Sequence, residues 1–148
     1  RSGMQVVRAV GGRAPLHLTS VGKLFLAADD PAQVRSYAER TGLAGQTANS
    51  ITNIASLDAE LATVRASGCA RDNEELEPGV RCMAAAIHDD GGKLVAGLSI
   101  SAPAEQVQES WVNLLLAKAA EIFGSIDLLF NKLLFFFFLF ILVRTNMS

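Results

Sequence analysis

Three small polar side chains in the stretch Val80 to Ser101 are spaced so that they could share one surface. They are Cys82, Ser99 and Ser101. Val80 to Ile87 is an apolar run of strand length, His88-Asp89-Asp90-Gly91-Gly92 has turn chemistry, and Leu94 to Ser101 is a second run of similar length. Asp-Gly between two such runs signals a β-hairpin, because both residues tolerate the positive φ of primed turns. If Asp90-Gly91 are the two loop residues, Asp89 faces Gly92, Ala86 faces Val95, Cys82 faces Ser99 and Val80 faces Ser101. Opposed residues share a face. One face then carries Arg81, Met83, Ala85, Ile87, Leu94, Ala96, Leu98 and Ile100, a core set. The other carries Val80, Cys82, Ala84, Ala86, Val95, Gly97, Ser99 and Ser101, small and mildly polar like the floor of a ligand site. A three-residue loop would instead put Cys82 opposite Leu98 or Ile100. The same pattern also fits a half-exposed sheet face with no ligand.

Two more places could join such a floor. Thr19-Ser20-Val21-Gly22 reads as a helix start, whose unpaired N–H groups and dipole suit an anion; an ordinary capped helix is the plain alternative. Gly22-Lys23 is not part of a phosphate-binding loop, since His17 stands where that motif needs glycine. Asp72 could accept a hydrogen bond from a ligand hydroxyl or protonated group while the serines donate to a carboxylate. It could equally be a turn residue in a solvated acidic loop. Nucleophilic catalysis by Cys82 would need a histidine in reach. His88 lies roughly 20 Å along the same strand, and His17 could approach only through tertiary contact. Ligand binding is the expected role, with no catalytic residue and no cofactor. Two cysteines without a CxxC or Cys/His cluster indicate neither a disulfide framework nor a metal site.

The elements around these residues follow from local signals. Met4 to Val10 is an expected strand, ended by Gly11-Gly12. Thr19 or Ser20 caps a helix through about Ala28. Asp30 caps a second, with Pro31 at its first position and Gly42 as its stop. Gly45 to Ile54 is a polar loop with a short strand around Ser50-Ile51-Thr52. Ser56 caps a third helix with Leu57, Leu61 and Val64 facing inward, ended by Gly68. Cys69 to Asp72 is ambiguous, and Asn73 to Glu77 is an acidic loop. Pro103 opens a long last helix with Val107, Trp111, Leu114, Leu115 and Ile122 as its apolar stripe. Grouped helices beside a hairpin indicate an α+β fold with an antiparallel sheet.

With 148 residues and a net charge of −2, the chain is one domain without the basic footprint of a nucleic-acid binder. Reduced thiols point to the cytoplasm, and the start lacks signal-peptide organisation. Arg1 in place of methionine suggests a fragment. Leu133 to Val143 is an unbroken apolar run of eleven residues, well short of the roughly 20 that span a membrane. Residues 1–126 are read as the domain, and 127–148 as a non-native or terminal Phe-rich tail outside it.

Several segments, taken in order, resemble the effector-binding domain of IclR-type transcriptional regulators. They are Gly12-Arg13-Ala14-Pro15-Leu16-His17-Leu18-Thr19-Ser20-Val21-Gly22-Lys23, Ile51-Thr52, Glu60-Leu61, Val64-Arg65, Gly68 to Glu75, Gly79 to Ala84, Asp89 to Gly92 and Leu98 to Pro103. The resemblance runs from about Gly11 to Ile126. It implies a GAF-like antiparallel sheet flanked by helices, and sensing of a small organic acid. It also implies a homodimer or homotetramer, and DNA contact only through an N-terminal winged helix-turn-helix missing from this chain. By position it implies an effector site of Ser20, Val21, Asp72, Cys82, Ser99 and Ser101. Cys69 departs from the family's usual aromatic, and Ser20-Val21 from its usual small pair. A stand-alone GAF-like binding module or thiol enzyme using Cys82 is the other reading.

Overall fold

The protein was analysed as a computed structural model that describes residues 13–131; the expected strand at Met4–Val10 and the apolar run at Leu133–Val143 lie outside the described residues. A single 3-10 turn, Leu16–Leu18, leads into helix α1, Ser20–Ala28. Thr19 caps α1 by accepting the Gly22 N–H on its hydroxyl at 3.1 Å, supplying one of the partners a first turn lacks. Helix α2, Pro31–Thr41, has the expected Asp30 cap, proline start and Gly42 stop. Helix α3, Ile54–Ser67, is capped three residues before Ser56, because Asn53 is the cap and accepts the Ser56 N–H at 2.9 Å. Residues 50–52 form no strand.

The sheet has three antiparallel strands in the order β1 (Cys69–Asn73), β2 (Val80–His88), β3 (Leu94–Pro103). Cys69 to Asp72, ambiguous by itself, becomes a strand through pairing with β2. Pro103 ends β3 rather than opening a helix, and the last helix, α4, runs from Trp111 to Asn131. It therefore continues past residue 126.

The hairpin register differs from the expected one by two residues. Cys82 pairs with Ser101, Ala84 with Ser99 and Ala86 with Gly97, where Ser99, Gly97 and Val95 respectively had been expected. Two irregularities produce this. The loop has three residues, since the Asp89 N–H donates to the Lys93 carbonyl at 2.8 Å and Gly92 takes a φ of 80°, the left-handed position that closes such loops. A bulge then leaves Val95 unpaired between Leu94 opposite His88 and Ala96 opposite Ile87. A three-residue loop alone would have turned Cys82 toward Ile100 or Leu98; the extra residue cancels that shift, so the small polar set still shares one face. Leu94 and Val95 exchange sides relative to expectation: Leu94 packs with the α1–α3 cluster and Val95 with the α4 cluster.

The core has two parts, one on each face of the sheet. On one side Leu24, Leu26, Leu57, Leu61 and Val64 pack over Ala70 and Ala84, joined by Val34 and Tyr37 of α2. On the other, Met83, Ala85, Ile87 and Ala96 meet Leu115 and Ala119 of α4. Full burial of a side chain such as Leu57 contributes about 1.5–3 kcal/mol. Leu114, expected in the α4 stripe, is instead 54% exposed.

Candidate functional site

The face of the sheet turned toward α1 is built from rows of three and two residues. In one row stand Asp72, Cys82 and Ser101; in the next Ala70, Ala84 and Ser99; in the third Ala86 and Gly97. Small side chains here let α1 lie close. A Cβ on Gly97 would sit 3.0 Å from Val21 Cγ1, tighter than a methyl normally packs. Val21 is thus seated over the floor, with Ser99 two residues further along β3 on the same face. Ser20, at the first position of α1, is 3% exposed.

Within the first row the Cys82 thiol lies 3.0 Å from the Ser101 hydroxyl. Ser99 and Ser101 are half-buried, whereas Cys82 and Asp72 are buried. All six expected site residues therefore belong to the α1 start or to this one face.

Asp72 does not sit in a solvated loop. It is 1% exposed, and its Oδ1 accepts the Glu75 N–H at 2.8 Å and the Leu76 N–H at 3.4 Å. The turn it organises is held from outside by the 45–54 loop. Thr47 Oγ1 donates to the Glu74 carbonyl at 2.7 Å, and Ser50 Oγ donates to the Glu75 carbonyl at 2.7 Å. Glu74, at φ 59°, occupies the left-handed region that non-glycine residues seldom adopt, and these contacts fix it there.

Sequence reasoning missed the most unusual residue beside the site. Lys23, three positions past Ser20, is fully buried. Its ammonium donates to Glu75 Oε1 at 2.7 Å, to the Arg71 carbonyl at 2.7 Å and to Glu60 Oε1 at 3.0 Å, so all three N–H groups have acceptors. Burial pushes the Glu75 carboxyl above the usual carboxylate range, a shift that the Lys23 hydrogen bond opposes. The signal available in the sequence was the composition of α1: Lys23 is its sole charged residue among Val21, Leu24, Phe25, Leu26 and alanines, leaving that helix no face suited to water.

Cys82 is not arranged as an activated nucleophile with histidine. His17 is buried, with Nε2 directed to the Ala44 carbonyl at 3.1 Å and Nδ1 to the Tyr37 hydroxyl at 2.8 Å, so both nitrogens are committed elsewhere. His88 is exposed at the far end of β2. Among the described residues no group of three His, Cys, Asp or Glu side chains could hold a metal ion, and no described helix is long and apolar enough to cross a membrane. Of two surface clefts, one of about 610 Å³ lies between the hairpin turn and α4 and reaches Ala86, and one of about 220 Å³ lies between β3 and α4.

A family model described as bacterial transcriptional regulator IclR C-terminal matches residues 1–127. The chain belongs to the IclR family. Among IclR-family relatives, the HTH-type transcriptional regulator KdgR of Dickeya chrysanthemi is 36% identical over 106 residues, covering 72% of this chain and 35% of its own length. The transcriptional repressor IclR of Escherichia coli is 34% identical over 109 residues, 74% of this chain and 40% of its own. The chain thus spans well under half the length of these curated relatives. The C-terminal domain of E. coli KdgR superposes with a TM-score of 0.70 at 35% identity, over 78% of this chain and 73% of that one. A double mutant of the inducer-binding domain of PobR from Acinetobacter, in complex with 3-hydroxybenzoic acid, has a TM-score of 0.70 at 30% identity, over 76% and 67%. The α+β architecture with an antiparallel sheet is that of IclR C-terminal effector domains.

Proposed function

We propose that this domain senses a small organic acid for a transcriptional regulator. The observation that carries the reading is the shared face: the α1 start lies over the same side of the sheet as the Asp72–Cys82–Ser101 row and Ser99. In this arrangement the first-turn N–H groups of Ser20 and Val21 and the hydroxyls of Ser99 and Ser101 bind the carboxylate, an anion at a helix start. Asp72 lies at the polar end of the floor and receives a hydroxyl or protonated group. Occupancy favours one arrangement of a homodimer or homotetramer and so changes DNA binding by winged helix-turn-helix domains outside this chain; a ligand achieves this only through unequal affinity for the two arrangements. The 3-hydroxybenzoic acid bound by the PobR domain supports an acid of this size class. Residues 1–126 form the sensing unit, no reaction takes place, and the setting is cytoplasmic.

A thermal-shift screen tests this with 3-hydroxybenzoate, 4-hydroxybenzoate and small mono- and dicarboxylates, repeated on Ser99→Ala and Ser101→Ala. At about 100 times the dissociation constant a ligand adds roughly 2.7 kcal/mol to stability. A shift in the wild type that both variants weaken is expected. A shift untouched in both would refute the site.

A further inference from the structure

The Lys23 ammonium joins the two halves of the candidate site. On one side it is carried by α1, three residues from Ser20. On the other it grips the Arg71 carbonyl, which belongs to the peptide group leading into Asp72, and the Glu75 carboxylate. Glu75 in turn donates its own N–H to Asp72 Oδ1. The ammonium thus fixes the Asp72 side chain from two directions, through the peptide before it and through the residue that holds its carboxylate.

What makes this tie necessary is the other oxygen of Glu75. Oε2 is buried and has no hydrogen-bond partner among the described residues, while Oε1 takes Lys23 and, at 3.3 Å, the Asn73 N–H. A buried carboxylate with one bare oxygen would gain by turning out to water. The opposite charge of Lys23, helped by the longer Asn73 N–H bond, offsets that pull. If Lys23 let go, the Glu75 side chain would swing outward, its N–H would be held to Asp72 only through the Thr47 and Ser50 contacts on the turn, and α1 would lose its anchor to the end of β1. Glu60 does not replace this hold, because its side chain is 31% exposed and ties the ammonium to α3 rather than to the turn.

We propose that Lys23 is the positioning residue of the effector site, an ammonium that aligns Asp72 through the Arg71 carbonyl and Glu75 and locks that alignment to the α1 start. Its consequence for binding rests on the reading of Asp72 as a ligand-facing group. The alignment itself is tested without any ligand, by residue-resolved amide hydrogen exchange on the full chain carrying Lys23→Met with Glu75→Gln. Changing both residues removes the two charges of this pair together, and Glu60, 31% exposed, turns to water. Protection at the Glu75 and Leu76 N–H groups, both bound to Asp72 Oδ1, is expected to fall about tenfold or more while the β2–β3 amides keep theirs. Unchanged protection at these two amides, or an equal loss across the sheet, overturns the proposal, since a merely structural role would move all amides together. Should the paired variant not fold, Glu75→Gln alone leaves Lys23 its acceptors, and a fall at the same two amides, about threefold, is expected from the weaker neutral bond; no change there overturns it. A second readout uses 3-hydroxybenzoate and the panel acids. An acid that stabilises the wild type is expected to stabilise the paired variant at least tenfold less tightly, and equal affinity overturns the link to binding. If no acid stabilises the wild type, the ligand reading fails while the exchange result still decides the positioning role.

Discussion

Replacing Gly22 with alanine sets two effects against each other, and the structure says which wins. In an ordinary helix the change stabilises by up to about 1 kcal/mol, because alanine loses less backbone freedom on folding. Here the 3-10 turn of residues 16–18 lies directly against α1. A Cβ on Gly22 would collide with the Leu16 carbonyl oxygen and with Thr19 Oγ1, and would lie 2.5 Å from Leu16 Cα. Two of these are backbone atoms, which cannot rotate away as a side chain would. Forcing a methyl into such a site costs about 1–3 kcal/mol. The displaced Thr19 hydroxyl would also release the Gly22 N–H, and loss of an N-cap costs about 1 kcal/mol more. The net expectation is destabilisation of about 1–3 kcal/mol. For a domain of this size that is a fall in Tm of roughly 2–4 °C per kcal/mol. Urea denaturation of the two proteins, with the slope m compared as well as the midpoint, measures it directly. Gly22→Ala that matches or exceeds the wild type in stability would refute the packing of the 3-10 turn on α1.

Other expectations concern charge. Burial favours the neutral His17 ring, and with Nε2 donating its proton to the Ala44 carbonyl, Nδ1 then accepts from the Tyr37 hydroxyl. Burial holds its pKa below the ordinary value of 6.5. The unfolded chain then takes up a proton more readily than the folded one, so this contribution is complete above about pH 6.5 and declines as pH falls below it. His17→Gln should flatten the loss of stability between pH 7 and 5, measured by urea midpoints; an unchanged slope would contradict the buried neutral ring. By contrast, Arg71 meets Glu109 through two N–H groups, with Glu109 72% exposed, and the guanidinium lowers the Glu109 carboxyl pKa. Glu109→Gln should cost less than about 1 kcal/mol, as exposed pairs do, and a larger loss in urea melts would show that the pair clamps the β3–α4 connection.

The parts of this fold that could be read from the chain are those whose signals are local. Asp30, Pro31 and Gly42 bound α2 because cap, first turn and stop each act within a few residues. The same logic placed Gly68 at the end of α3, and missed its start by three residues because Asn53 and Ser56 are both good caps and only the backbone path chose between them. β1 was not legible. Cys69-Ala70-Arg71-Asp72-Asn73 has no alternating pattern, and it becomes a strand only by pairing with β2. Pro103 looked like a helix start because proline suits one, but it equally suits a strand end. From Ala96 onward the hairpin faces were read correctly on an incorrect register, since an error of two residues leaves alternation intact, while Leu94 and Val95, before the bulge closes, exchange sides. Lys23 was legible only in part: the apolar composition of α1 pointed to its burial, but not to its partners. Its three acceptors come from residues 60, 71 and 75, tertiary contacts that no local spacing announces.

The bulge at Val95 also bears on how this hairpin can change in length. Because Val95 has no partner on β2, a chain lacking it would keep Ser99 opposite Ala84 and Ser101 opposite Cys82. Losing one residue between Ala96 and Ser99 has the opposite result, carrying both serines out of the floor and setting Ile100 and Ala102 in their places. The hairpin can therefore lose its bulge residue at the turn end without changing which side chains line the proposed floor, while a single deletion further along β3 would replace them.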